Sequence, residues 1–303
     1  MKIRPIPQIL SFIAVCALLF LPGPSGASRV VTDEMGRRLA VPDDPKRIVS
    51  FAPSITEIIF ALDRKNRLKG VTRFSDFPPE ATQLPSIGSY VRPDLERIVA
   101  LKPDLCFATK DGNPRDIVRR LAAFHIPVYV VNPKNLEAVM ETIHRIGVIL
   151  NATPKANAII HQMRSRISRV RSLVAKASKR PRVFFQIGIT PIVSVGTPTL
   201  INELIEIAGG INLAAGPTPY PRFSREQVLA LAPDVLIITS MARGARFEKV
   251  KKEWNKWPSI PAVRDHRILT VDSNLFDRPT PRLVDALETL ACLINPQLFE
   301  GQE

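Results

Sequence analysis

The chain is poor in the side chains that carry out chemistry. Of its 303 residues only three are cysteine and four histidine. No GxSxG turn, no glycine-rich loop ending in Lys-Ser/Thr, no HExxH and no CxxC occurs, which removes the common nucleophile, phosphate-loop and zinc arrangements. The histidines, His125, His144, His161 and His266, fall at a helix end, in two helices and before a strand, where structural roles prevail. No catalytic residue, metal ligand or cofactor is expected.

Long hydrophobic runs are equally scarce. One stands out, Ile9 to Leu21, preceded by Lys2 and Arg4 and followed by Ser25-Gly26-Ala27, the order of an export signal. Its thirteen residues fall short of the about 20 that span a bilayer. Residues 1–27 are therefore expected to be removed, leaving a periplasmic chain; an uncleaved, membrane-anchored form is the alternative. Cys16 lies inside the apolar run behind Val15, away from a lipoprotein position. Cys106, on a predicted strand, and Cys292, on the last predicted helix, are expected to be buried free thiols.

Acids are outnumbered, 28 against 42 basic residues, for a net charge of +14, or +12 without Lys2 and Arg4. Much of the excess lies between Lys155 and Arg182, studding one helix. No aromatics interleave with those cations, so a solvated helix face is the reading and nucleic acid is not a partner.

What the chain does have is a repeat. Tyr90 to Thr109, YVRPDLERIVALKPDLCFAT, returns 130 positions later as YPRFSREQVLALAPDVLIIT, Tyr220 to Thr239, with eight of twenty positions identical. Each copy places an aromatic before a helix cap (Asp94 or Ser224), a short helix, a Pro-Asp break and an apolar strand. A unit present only twice implies two like lobes, since stacked arrays need more copies to bury a continuous core.

Between and around the copies, strands and helices alternate, which means parallel sheets covered on both faces. The fold class expected is α/β: two lobes with parallel central sheets joined by one long rigid helix. Residues 28–152 form the first lobe, 153–178 the connecting helix, with Thr153 as its cap, and 179–303 the second lobe. Ligands of such sheets sit beyond the carboxyl ends of the strands, so the loops at 53–54, 73–79, 109–114, 188–198 and 272–280 should edge one cleft. Those loops and the repeat bring aromatics next to arginines: Arg73-Phe74, Phe77, Tyr90 with Arg92, Tyr220 with Arg222, and Phe276 with Arg278. Flat apolar faces with a few forked donors suit a large planar or macrocyclic ligand. Glu96 and Glu226 are equivalent second residues of their helices. A capping box would place the acid one position later, so both are free to point outward.

Taken in order, RIVSFAPSITEIIFAL, FSDFPPEA, LERIVALKPDL, VFFQIGITP, SREQVLALAPD and FDRPTPR resemble the blocks of the periplasmic substrate-binding proteins of ABC importers for vitamin B12 and iron chelates. The resemblance implies a non-catalytic, monomeric protein that captures a ligand between its lobes and hands it to a membrane permease. It places Phe74, Tyr90, Tyr220, Asn274 and Arg278 on the cleft wall and Glu96 and Glu226 at the permease. The ligand implied is cobalamin or another corrinoid. Departures from the family pattern are Tyr90 and Tyr220 at tryptophan positions, Thr109 at a third, Ile187 and Val193 at phenylalanine positions, Asn274 for an aspartate, and Ala208 in place of a cysteine partner for Cys292. They imply a less aromatic, more basic cleft and keep a ferric siderophore or haem as the alternative cargo. An envelope enzyme on the same fold is the remote alternative.

Overall fold

The structure is a computed structural model that describes residues 27–239 and 245–299. The expected export signal lies outside the described residues, apart from Ala27. Among the described residues no helix is long and apolar enough to cross a membrane.

The chain opens with an antiparallel hairpin, β1 (Ser28–Thr32) and β2 (Arg38–Pro42). Its turn carries two acids that dock it on the first lobe. Asp33 is buried and accepts from Arg37, while Glu34 accepts from the backbone of Asn132 and the hydroxyl of Thr142. Then come β3 (Ile48–Ser50), α1 (Pro53–Ala61), β4 (Leu68–Gly70), α2 (Leu95–Ala100), β5 (Leu105–Thr109), α3 (Arg115–Ala123), β6 (Val128–Val131) and α4 (Leu136–Ile149). The first sheet runs β4-β3-β5-β6, parallel throughout. Its strands are nearly continuous apolar runs because helices cover both faces.

The helix α5 (Thr153–Val174) crosses to the second lobe, about 33 Å long at 1.5 Å per residue. It starts one residue earlier than expected. Ala152 is the cap and makes no side-chain cap bond, while Thr153 is already helical, because the turn through Asn151, at φ +53°, closes directly onto α5. The inward stripe of α5, Ala156, Met163, Ile167 and Val170, joins a core that includes Ile55 and Ile59 of the first lobe and Phe185 and Leu287 of the second. One hydrophobic cluster therefore runs through both lobes.

The second lobe holds β7 (Arg182–Gln186), β8 (Ile192–Val193), α6 (Leu200–Ile207), β9 (Ile211–Asn212), β10 (Arg222–Phe223), α7 (Arg225–Leu231), β11 (Val235–Ile238), α8 (Ala245–Trp254), α9 (Pro261–Arg264), β12 (Ile268–Thr270), α10 (Ser273–Phe276) and α11 (Leu283–Ile294). Its sheet, β12-β11-β7-β9, is again parallel. The turn α10 was not expected within the 272–280 loop; the Asp272 carboxylate accepting from the Asn274 amide nucleates it.

The repeat has a physical job in each lobe. Asp104 accepts from the backbone amides of Lys46 and Arg47, and Asp234 from that of Arg182, so each Pro-Asp break holds the entry of the neighbouring central strand. The arginine at that entry returns the bond, Arg47 to the carbonyls of Leu101 and Lys102, Arg182 to Leu231. Asp94 and Ser224 cap α2 and α7 as expected.

The thiols differ from expectation. Cys106 is buried and free, and burial raises its pKa, but Cys292 is free and exposed. The inward stripe of α11 is already filled by Leu283, Leu287, Leu290 and Ile294, which leaves position 292 on the outer face.

Candidate functional site

The first lobe presents a wall built around Tyr90. Phe74 meets it edge to face, with ring centroids 6.0 Å apart, and the Arg73 guanidinium lies 4.9 Å over the Phe74 ring. Tyr90 also rests on Gly112, where a Cβ would come within 2.7 Å of the Tyr90 ring. Buried Asn113 ties the two segments together: its amide donates to the Tyr90 and Phe51 carbonyls, and its Oδ1 accepts from the Thr109 amide. Phe74 stays 43% exposed, so the wall offers an aromatic face to whatever enters. Gly112 and Asn113 were not singled out from sequence; the Asp-Gly-Asn turn directly after the repeat is the signal that marks them.

Gly112 sits at φ +102°, so alanine there meets both a backbone penalty and the Tyr90 ring. Gly112→Ala is expected to tilt Tyr90 out of its slot and weaken ligand binding while the secondary structure persists. Titration calorimetry alongside circular dichroism checks this, and unchanged affinity would mean that the ring has no fixed role.

The second lobe supplies Tyr220, 60% exposed, on the loop between Gly216 and Pro221. Gly196 allows that loop to lie close, since a Cβ on it would fall 1.9 Å from the Thr218 carbonyl oxygen. The protein around the Tyr220 phenol raises its pKa, and the carboxylates of Asp111, from the first lobe, and Asp277 add to the rise.

Arg278 is placed differently from a free donor. It is 9% exposed, and its Nη1 donates to Glu57 at 2.8 Å and Asp76 at 2.7 Å, its Nη2 to the Phe74 carbonyl at 3.2 Å and to Asn274 at 2.8 Å. Asn274 thereby orients Arg278. Arg282 completes the network, bonding both Glu57 oxygens at 2.9 and 3.0 Å and covering the Phe77 ring at 3.6 Å. Glu57, on the buried face of α1, is a shared acceptor that ties the first lobe to both arginines of the second. Sequence reading passed over it, although a carboxylate between Ile55 and Ile58 within an apolar stripe is the mark of a buried acid that needs a cation. Phe276, expected at the cleft, is instead core, 1% exposed and 5.7 Å from Phe185.

Asp277 lies at the cleft surface, yet the protein packed around its carboxyl pushes it up to about 6, against the pull of Arg278 and helped by Asp272. An acid with a raised folded pKa favours the folded state at low pH. Its contribution is complete below about 3.8, the value of the unfolded group, and is lost as pH rises through about 6. Carboxyl-detected NMR is expected to show one such midpoint, absent in Asp277→Asn.

Glu96 and Glu226 are both exposed at the starts of α2 and α7. Bonds from Ser224 and a backbone amide hold the Glu226 carboxyl below the usual range. Gln227, one place on, makes the capping box with Ser224, which leaves Glu226 outside it.

Two surface hollows, of about 480 and 420 Å³, are present, the second beside the Glu57 network. The first is lined by the ends of α5 and α6, the second by Glu57, Phe77, Glu80 and Arg282 among others. Among the described residues no group of three or more His, Cys, Asp or Glu side chains could hold a metal ion.

Comparison with known proteins agrees with this architecture. The family described as periplasmic binding protein matches residues 48–275. The vitamin B12-binding protein of Photorhabdus laumondii is 32% identical over 253 residues, 83% of this chain and 88% of that protein. The crystal structure of the periplasmic vitamin B12-binding protein of Vibrio cholerae superposes with a TM-score of 0.74 at 28% identity, covering 83% of this chain and 97% of that one. A periplasmic heme-binding protein from Roseiflexus sp. RS-1 superposes with a TM-score of 0.75 at 28% identity, over 84% and 99%. Two lobes with parallel sheets and a long helix between them agree with that match, and the chain belongs to the periplasmic binding protein family, non-catalytic proteins that deliver a small ligand to an ABC importer.

Proposed function

We propose that the cargo is cobalamin or a related corrinoid, held between the Tyr90 wall and Tyr220. The observation that carries this reading is the edge-to-face pair of Phe74 and Tyr90, with Tyr90 resting on Gly112, together with an exposed tyrosine, Tyr220, on the other lobe. Flat faces of this kind supply contact area to a macrocycle at little entropic cost. The relatives at 30–32% identity that bear the name vitamin B12-binding protein lend it further support. Asn274 acts on the ligand side through Arg278, whose four bonds already hold it at the cleft floor. Calorimetric titration with cyanocobalamin, haem and a ferric siderophore tests the assignment. Binding of the ferric siderophore or haem with none of the corrinoid transfers it to the alternative cargo.

Delivery is proposed to use Glu96 and Glu226, one exposed carboxylate per lobe at equivalent helix starts. Two anionic knobs could each meet a basic pocket on a two-fold permease, fixing orientation and speeding encounter. Helix-dipole stabilisation is the competing account, and it predicts normal uptake after neutralisation. Glu96→Gln with Glu226→Gln is expected to leave ligand affinity unchanged and lower uptake into vesicles bearing the permease, and arginine at both positions is expected to be worse. Full uptake by the double-arginine protein sinks the docking role.

A further inference from the structure

We infer that the hollow where α5 and α6 end is a docking site for a phospholipid headgroup bearing a primary amine, by which the protein rests on a lipid surface. Its volume of about 480 Å³ lies within the range of small-molecule sites.

The lining combines a half-buried apolar floor, Val174, Ala177 and Ile207, with two arginines, Arg171 and Arg180, and one acid, Glu206. Gly209 lets the end of α6 lie against α5, since a Cβ on it would come 2.5 Å from the Val174 side chain. Arg180 is held there, its Nη2 donating to the Gly210 carbonyl at 2.7 Å, and its other donors have no partner among the described residues. Arg171, exposed and three residues before Val174 on the same helix face, has no ion pair or side-chain hydrogen bond among the described residues. Glu206 is exposed as well; Asn202 donates to its Oε1 at 3.0 Å, and neither arginine pairs with it. The remaining charges of these elements are engaged elsewhere or positive. Glu203 accepts from the Leu136 amide, Asp285 and Glu288 hold Arg166, and Arg182 donates to the Leu231 and Ala232 carbonyls. Lys176 and Lys179, exposed between Ala175 and Arg180, add to the basic side.

Two unpaired guanidiniums, one carboxylate and an apolar floor call for a ligand with the complementary set of groups. A phosphate suits the forked donors, an ammonium with N–H bonds suits the carboxylate, and hydrocarbon suits the floor. A phosphodiester joined to a primary amine and to acyl chains carries all three. A quaternary amine has no N–H to give Glu206, and a purely anionic headgroup leaves that acid unanswered. Ile211, 45% exposed on the edge strand β9 and directly after Gly210, adds apolar surface beside the hollow, as a contact with the headgroup layer requires. Arg180 and Gly210 precede β7 and β9, so the hollow lies at the amino ends of the strands, and a protein seated there keeps the loops at their carboxyl ends clear. Proteins that deliver to an ABC importer work beside a bilayer, which supplies the occupant. Cations at the ends of α5 and α6 also offset the helix dipoles, and that account alone has Arg171→Gln lowering Tm with no effect on lipid binding.

Co-sedimentation of the exported protein, free of cargo, with vesicles tests the site. Vesicles of phosphatidylcholine and phosphatidylethanolamine in equal parts are expected to bind it, and vesicles of phosphatidylcholine alone, which are also neutral overall, are not. Arg171→Gln, which breaks no bond within the protein, should weaken binding about fivefold, and adding Arg180→Gln should bring the loss to about twentyfold. Glu206→Gln should remove the preference for the amine without weakening attachment to vesicles that contain anionic phosphatidylglycerol. Thermal unfolding on the same samples shows that each variant is folded and reads the dipole account: a lowered Tm with unchanged vesicle binding in Arg171→Gln overturns the site. Equal binding to both neutral vesicle types overturns it too, as does an amine preference that survives Glu206→Gln. Calorimetry with glycerophosphoethanolamine separates a soluble source of the same chemistry. If that compound binds and the vesicles do not, the lipid-surface role falls.

Discussion

Replacing Glu57 by alanine is expected to produce the largest loss of stability available from one side chain. Glu57 is 4% exposed and is the shared acceptor for Arg278 and Arg282, which reach it from the other lobe. Removing one partner of a buried ion pair leaves the others desolvated and unpaired, at a cost of about 3–5 kcal/mol. At roughly 2–4 °C per kcal/mol for a chain of this size, Tm should fall by about 10 °C. Arg282 is the more solvent-exposed of the two arginines and can partly rehydrate, so the lower end of the range is the better expectation. Urea unfolding of Glu57→Ala measures the loss. Glu57→Leu combined with Arg278→Met should recover part of it, since replacing both ends by apolar groups removes the stranded charge. A loss below 1 kcal/mol in the single variant would show that water replaces the carboxylate at no cost.

The largest effect on binding is expected from the two tyrosines together. Tyr90 and Tyr220 stand on different lobes, so their effects are expected to add. A buried aromatic anchor is worth roughly 2 kcal/mol or more, which for Tyr90→Ala with Tyr220→Ala is about a thousandfold in Kd. The double phenylalanine variant keeps both rings and should retain most of the affinity. If it loses as much as the alanine pair, the hydroxyls rather than the faces do the binding. Cyanocobalamin is the probe, with thermal unfolding to confirm that each variant is folded.

The architecture was legible because it rests on periodicity and on the repeat. Strand and helix positions follow from apolar patterns and from caps at Asp94 and Ser224, each of which needs only its neighbours in sequence. The same holds for the identical Pro-Asp breaks, whose role in holding strand entries explains why both copies contain them. What was not legible depends on partners far apart. The partners that hold Arg278, Glu57 and Asp76, lie 221 and 202 residues away and leave no local mark in the sequence. Phe276 reads as cleft lining until its ring is found against Phe185. Cys292 reads as buried because an apolar helix hides which of its faces is already filled.

The separation between Glu57 and Arg278 also orders events in time. An exported chain emerges from its N-terminus, and α1 with its carboxylate appears some two hundred residues before the arginines that will neutralise it. Closing so long a loop is slow and entropically costly. Until then the first lobe carries an acid facing water at the surface destined to meet its twin, so a nascent chain halted short of Arg278 has its sheet but no latch. The bond to Glu57 therefore cannot close until residues 278 and 282 have crossed, which ties the joining of the lobes to the late part of the chain.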